Sequence, residues 1–122
     1  MTSNTRRAST LSLLGTGTCQ LEAARMATSS LIELPGLRVL YDIGRGVTQR
    51  LAERGLKSDD LSHIVISHFH PDHISDLIPF LQDACWSRRA PRTKALHLYG
   101  PVGLRAQAMR LMSAFGPHDL LK

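Results

Sequence analysis

The run Ser67-His68-Phe69-His70-Pro71-Asp72-His73 puts four metal-type donors, His68, His70, Asp72 and His73, into six consecutive residues. Imidazole and carboxylate groups packed that densely form the donor set of a divalent-metal site, because isolated surface histidines do not cluster in this way. Histidines that merely cap a helix or line a loop would need four coincidences where a metal site needs one cause. The donors also constrain the fold, since they stand at a change of secondary structure. His63 to Ser67 is a short β-branched run without helical period, long enough for a buried strand and too short for a buried helix. After the donors, Leu77, Ile78, Leu81, Ala84 and Cys85 recur at helical spacing within Ile74 to Trp86. The four donors therefore occupy a strand-to-helix loop. Pro71 biases His70 toward extended backbone, so His68 and His70, two residues apart, project to the same side. Asp72 falls at a helix N-terminus, where the backbone dipole favours a carboxylate anion.

The strand-side pair and the helix-side pair approach from different directions, which suits two ions better than one tetrahedral ion. In a two-metal site the ions lie about 3.5–4 Å apart and a metal-bound hydroxide is the nucleophile. Zinc is the first expectation for the cofactor, and Mn2+ or Fe2+ would accept the same donors.

The remaining pattern predicts strands near Thr10 to Leu14, Ser29 to Leu34 and Leu37 to Tyr41, the last two as a hairpin around Pro35-Gly36. A helix follows over Gly46 to Arg54, with Val47 and Leu51 one turn apart and Gly55 as its stop. Then come the strand, loop and helix around the donors, another strand, and a last helix to about Phe115. Gly100-Pro101 is expected to open that helix with Pro in its first turn, and Val102, Met109, Met112 and Phe115 fall near one face, the methionines as core filler. This element order predicts an α/β domain with one mixed sheet and helices on one face. Its other face would be apolar and open unless a second sheet or another chain covers it. No repeat, low-complexity tract or linker divides the chain.

The donor run resembles the His-x-His-x-Asp-His signature of the metallo-β-lactamase superfamily. The likeness extends to Leu13-Leu14-Gly15-Thr16-Gly17-Thr18, Arg25, Ser29-Ser30, Tyr41-Asp42-Ile43-Gly44-Arg45-Gly46 and Leu98-Tyr99-Gly100-Pro101-Val102-Gly103-Leu104, which resemble the ribonuclease Z-like branch in order and spacing. The resemblance implies the first half of an αββα sandwich, with residues 1–122 an apparently truncated N-terminal half of the domain. It implies a binuclear metallohydrolase in which His68 and His70 hold one ion, Asp72 and His73 hold the other, and Asp72 also moves a proton. A phosphodiesterase of the ribonuclease Z-like kind is the function expected, with a phosphodiester or other ester substrate and RNA among the candidate partners. Thioester, lactone or aryl sulfate hydrolysis is the second enzyme reading, and an inactive metal-binding fragment is the third. The resemblance also implies a third histidine, a bridging aspartate and a final histidine, to which no residue here is assigned; His118 comes too soon and reads as a turn residue. Asp76 and Pro71 stand where the family usually has glycine, which suggests a side branch of the ribonuclease Z-like group.

Asp42 ends an apolar strand and precedes Gly-x-Gly. By position it is either an ordinary turn aspartate or a carboxylate that orients a ligand histidine, and the resemblance favours the second. Gly15-Thr16-Gly17 lacks the third glycine of a dinucleotide fingerprint, since Gln20 stands there. Cys19 and Cys85 are far apart and outside any C-x-x-C pair, which suits a reduced, cytoplasmic protein. His63 and His97 read as packed or edge histidines. The chain has 15 Lys and Arg against 10 Asp and Glu, net +5, and a pI near 9.9. Arg88, Arg89, Arg92 and Lys94 cluster in one connection, which would suit a phosphodiester partner but equally describes a solvated loop. Arg6-Arg7 before an apolar stretch resembles a twin-arginine signal, although Gly15-Thr16-Gly17 breaks the stretch. No run approaches the ~20 apolar residues of a membrane span. A homodimer is the remaining candidate assembly.

Overall fold

Pro35 and Gly36 close an antiparallel hairpin between β2 (Ser29–Leu34) and β3 (Leu37–Tyr41). Gly36 sits at φ +75°, left-handed backbone that a Cβ would resist. The computed structural model of the chain describes residues 8–88 and 92–115. In it β1 (Thr10–Gly15) pairs antiparallel with β2, while β4 (His63–Val65) and β5 (His97–Tyr99) extend the sheet parallel to β3, in the order β1-β2-β3-β4-β5. The helices are α1 (Val47–Glu53), α2 (Pro71–Ile74), α3 (Leu77–Trp86) and α4 (Leu104–Ser113), with a 3-10 turn at Ser58–Asp60 ahead of β4.

The register sorts side chains to two faces. Leu31, Leu40, Ile64 and Leu98 align across β2 to β5, and the first three are fully buried. Val47 and Leu51 from α1, Ile74 from α2, Leu77, Phe80 and Leu81 from α3, and Ala108 and Met112 from α4 pack into the same core. All four helices thus lie over this one face. The other face carries the rows Leu11, Ile32, Val39, His63, His97 and Leu13, Ser30, Tyr41, Val65, Tyr99. Leu11, Leu13 and Tyr99 remain 67%, 63% and 55% exposed, so nothing among the described residues covers that face. The mixed sheet, its one-sided helices and its apolar open side are as the sequence pattern predicts.

Two local expectations are corrected. The helix expected from Ile74 to Trp86 is broken into α2 and α3 at Ser75 and Asp76, because the Asp76 N–H donates to Ile43 O at 3.0 Å and its carboxylate turns to α1. Helix α4 starts at Leu104 rather than at Pro101, which instead forms a turn by accepting the Leu104 N–H at 3.1 Å. The buried stripe of α4 is accordingly Ala108 and Met112, supported by Leu104 and Leu111. Val102, Met109 and Phe115 are exposed, so of these methionines Met112 alone fills the core. His118 lies outside the described residues.

Candidate metal centre

The centre is assembled where β3 and β4 end. Asp42 follows β3 with φ +61°, a left-handed conformation that Asp tolerates better than most residues. Its own N–H donates to Val65 O at 2.8 Å, and its carbonyl accepts the Ser29 hydroxyl at 2.8 Å. The bend aims the carboxylate inward, and Asp42 is only 3% exposed. Oδ1 accepts the Ser67 backbone N–H at 2.7 Å; Oδ2 accepts the Ser67 hydroxyl at 2.7 Å and meets His73 Nδ1 at 2.7 Å. With the carboxylate ionised and the imidazole neutral, His73 Nδ1 carries the hydrogen and Nε2 keeps its lone pair. Asp42 therefore holds the His73 ring, the orienting role that the family resemblance favoured over an ordinary turn aspartate.

The four sequence donors gather in one loop. His70 has the extended backbone expected ahead of proline, φ −62° and ψ 144°, and caps α2, whose second residue is Asp72. The rings of His68 and His70 lie edge to face with centroids 4.6 Å apart. His73 Nε2 lies 3.4 Å from Asp72 Oδ2. Two donors each about 2.1 Å from a tetrahedral ion stand about 3.4 Å apart, so this pair has the spacing of neighbouring ligands on one ion. The His68 and His73 rings are 4.0 Å apart, closer than those of His68 and His70. Among the described residues no three His, Cys, Asp or Glu side chains converge as a complete ligand set.

The loop is held from below by the segment after Asp42. The Ile43 N–H donates to His73 O at 2.8 Å, and a Cβ on Gly44 would stand 1.8 Å from Asp72 O. Only glycine lets the two backbones approach so closely. Asp76 completes the clamp: its Oδ2 accepts the Thr48 N–H at 3.0 Å and the Thr48 hydroxyl at 2.8 Å, capping the N-terminus of α1 from another element. Sequence reasoning missed Ser67 and Asp76 as supporting groups. A small hydroxyl residue directly ahead of the first ligand was the available signal for the one. For the other it was an acidic residue where the family usually has glycine.

The basic connection is less available than its composition suggests. Arg92 directs its guanidinium to the carbonyls of Ser58, Leu61 and Ala95 and its Nε to Lys94 O, so it is a structural anchor and not a phosphate contact. Asp59 holds the same connection by accepting the N–H groups of Thr93 and Lys94, both at 3.1 Å. These bonds keep its carboxyl below the usual aspartate value. Arg89 lies outside the described residues.

Helices on one side of a mixed sheet, with a His-x-His-x-Asp-His loop at the strand ends, define a protein of the metallo-β-lactamase fold. The solved structure of human tRNase Z, short form, superimposes with a TM-score of 0.75 at 28% identity, over 91% of this chain and 40% of its own. The metallo-β-lactamase fold protein YhfI from Bacillus subtilis gives a TM-score of 0.70 at 20% identity, over 84% of this chain and 40% of its own, a likeness of fold. A protein named Ribonuclease Z from Mycolicibacterium gilvum (strain PYR-GCK) is 36% identical over 105 residues, which are 86% of this chain and 37% of that relative. Within this ribonuclease Z-like branch the chain belongs to the family described as Anti-Pycsar protein Apyc1, which matches residues 9–106. It thus spans little more than a third of the length of the Ribonuclease Z relative.

Proposed function

We propose that this chain is the first half of a metal-dependent phosphodiesterase of the ribonuclease Z-like kind, in which His68 and His70 bind one divalent ion and Asp72 and His73 the other. The observation that carries this reading is the spacing of His73 Nε2 and Asp72 Oδ2, 3.4 Å apart with the far nitrogen of His73 tied to buried Asp42. A supporting carboxylate behind a ligand histidine fixes the ring and raises its basicity. Bound ions would polarise the ester oxygen and lower the pKa of a water nucleophile to near neutrality. His68 and His70, in the loop after β4, would present nitrogens from the strand side. Asp72, at the second position of α2, presents a carboxylate from the helix side and has a second oxygen free to take a proton from the attacking water. Zinc is the metal proposed first, with Mn2+ or Fe2+ as alternatives, and RNA is the substrate class suggested by the name of the Ribonuclease Z relative. The remaining ligands would come from outside these 122 residues. A cytoplasmic location belongs to the same proposal, and among the described residues no helix is long and apolar enough to cross a membrane.

The test is a chromogenic aryl phosphodiester assay with Zn2+ or Mn2+. The chain is assayed alone and with the C-terminal portion of the Mycolicibacterium gilvum relative supplied in trans. Little turnover is expected alone, and metal-dependent turnover that vanishes in His70→Ala is expected with the complement. Faster hydrolysis of a thioester, lactone or aryl sulfate would transfer the assignment to that bond type. No metal-dependent hydrolysis of any of them would overturn the proposal.

A further inference from the structure

The Ser67 hydroxyl stands between two groups that both want its single proton. It lies 2.7 Å from Asp42 Oδ2 and 2.9 Å from His68 Nδ1, and 3.4 Å from His73 Nδ1. A hydroxyl donates one hydrogen bond and accepts two. A hydrogen bond to an ionised carboxylate is roughly twice as strong as one to a neutral acceptor, so the proton goes to Asp42. The oxygen then faces His68 Nδ1 with a lone pair, and that nitrogen must carry the hydrogen. The Asp42 carboxylate has room for this arrangement, since it accepts one bond at Oδ1 and two at Oδ2. His73, whose hydrogen points to Asp42 at 2.7 Å, does not compete for the hydroxyl at 3.4 Å.

We infer that Ser67 is a positioning residue: its hydroxyl, wedged between Asp42 and His68 Nδ1, holds the His68 ring with Nε2 bare, where it would be available to a metal ion. One buried carboxylate then sets the ring state of a histidine in each donor pair, of His73 directly and of His68 through Ser67. The two half-sites share a single support, so disturbing it disturbs both. The metal role of His68 rests on the function proposed above; its tautomer does not.

Nitrogen-15 NMR of the histidine rings near pH 8, where an ordinary imidazole is neutral, reads the tautomers without metal. In the 122-residue chain His68 and His73 are both expected with hydrogen on Nδ1. In Ser67→Ala, His68 loses that preference while His73 keeps it through Asp42. Ser67→Thr, which retains the hydroxyl, restores it and guards against a general loss of fold. Cobalt(II) binding, followed by visible absorption, is expected to weaken about 10–100-fold in Ser67→Ala and to recover in Ser67→Thr. Hydrogen on His68 Nε2 in the unaltered chain, or a His68 signal indifferent to Ser67→Ala, would overturn the role of Ser67. Absence of cobalt binding even with the complement supplied in trans, with the expected tautomers, would instead sink the metal proposal and leave the proton arrangement standing.

Discussion

The two faces of this sheet have the same backbone and opposite fates. On one, Leu31, Leu40 and Ile64 are completely buried under four helices. On the other, Leu11 and Leu13 are more than 60% exposed in β1, and Tyr41 and Tyr99 stand half-exposed at the ends of β3 and β5. The candidate metal centre lies at the carboxyl ends of β3 and β4, supported by the segments that cross toward the helix side. Cohesion and the candidate centre therefore both depend on the covered face, while the open face contributes apolar surface with no partner among the described residues.

The sharpest way to break that asymmetry is to empty the covered side. Leu40→Ala removes a fully buried side chain and is expected to cost about 2–5 kcal/mol in urea unfolding, lost transfer energy plus cavity. A loss under about 1 kcal/mol would mean that this face is not the core. Gly44→Ala probes the junction of core and centre. Its methyl would stand on Asp72 O, and about 1–3 kcal/mol of overpacking strain is expected together with weaker cobalt(II) binding. Undiminished binding would show that the donor loop does not depend on this contact. Asp76→Ala removes the borrowed cap of α1 and should cost about 1 kcal/mol, measurable as a lower urea midpoint with unchanged slope.

On the open side the expected effects shrink. Leu13→Thr, at a 63% exposed strand position, should move stability by no more than about 0.5 kcal/mol, while reducing self-association in sedimentation. A large destabilisation would mean that this face is covered in solution. Smallest of all is the pH effect at Asp59. Its carboxyl is held low chiefly by the Lys94 N–H, then by the Thr93 hydroxyl and N–H. A folded-state value below the unfolded one means the contribution is present at neutral pH and is lost as pH falls from the ordinary aspartate value of 3.8 through the lowered folded value. Asp59→Asn should slightly lower stability at neutral pH and flatten the acid limb, so that the two profiles converge at low pH.

Local chemistry made much of this legible in advance. The β2–β3 hairpin follows from alternating apolar residues around Pro35-Gly36, and the extended backbone at His70 follows from Pro71. The gathering of His68, His70, Asp72 and His73 in one loop follows from their spacing in sequence, while their division between two ions belongs to the proposal. What stayed hidden depends on partners distant in sequence. Thr48 lies 28 residues from Asp76, and no periodicity announces that a carboxylate will cap another helix. The start of α4 was misjudged for a similar reason: Pro101 suits either a first turn or the turn before it, and the left-handed backbone at Gly103 decides for the latter. The Arg92 guanidinium, a candidate phosphate contact by composition, is claimed by carbonyls brought near it only by the fold.

The left-handed backbone at Asp42 has a useful corollary. Asparagine accepts that torsion as readily as aspartate, so exchanging the two keeps the bend that ends β3 while replacing an anionic acceptor with a neutral amide. Few buried charges can be deleted without also disturbing the shape around them. Here architecture and electrostatics come apart at a single residue, which makes it the natural handle for retuning the centre without rebuilding it.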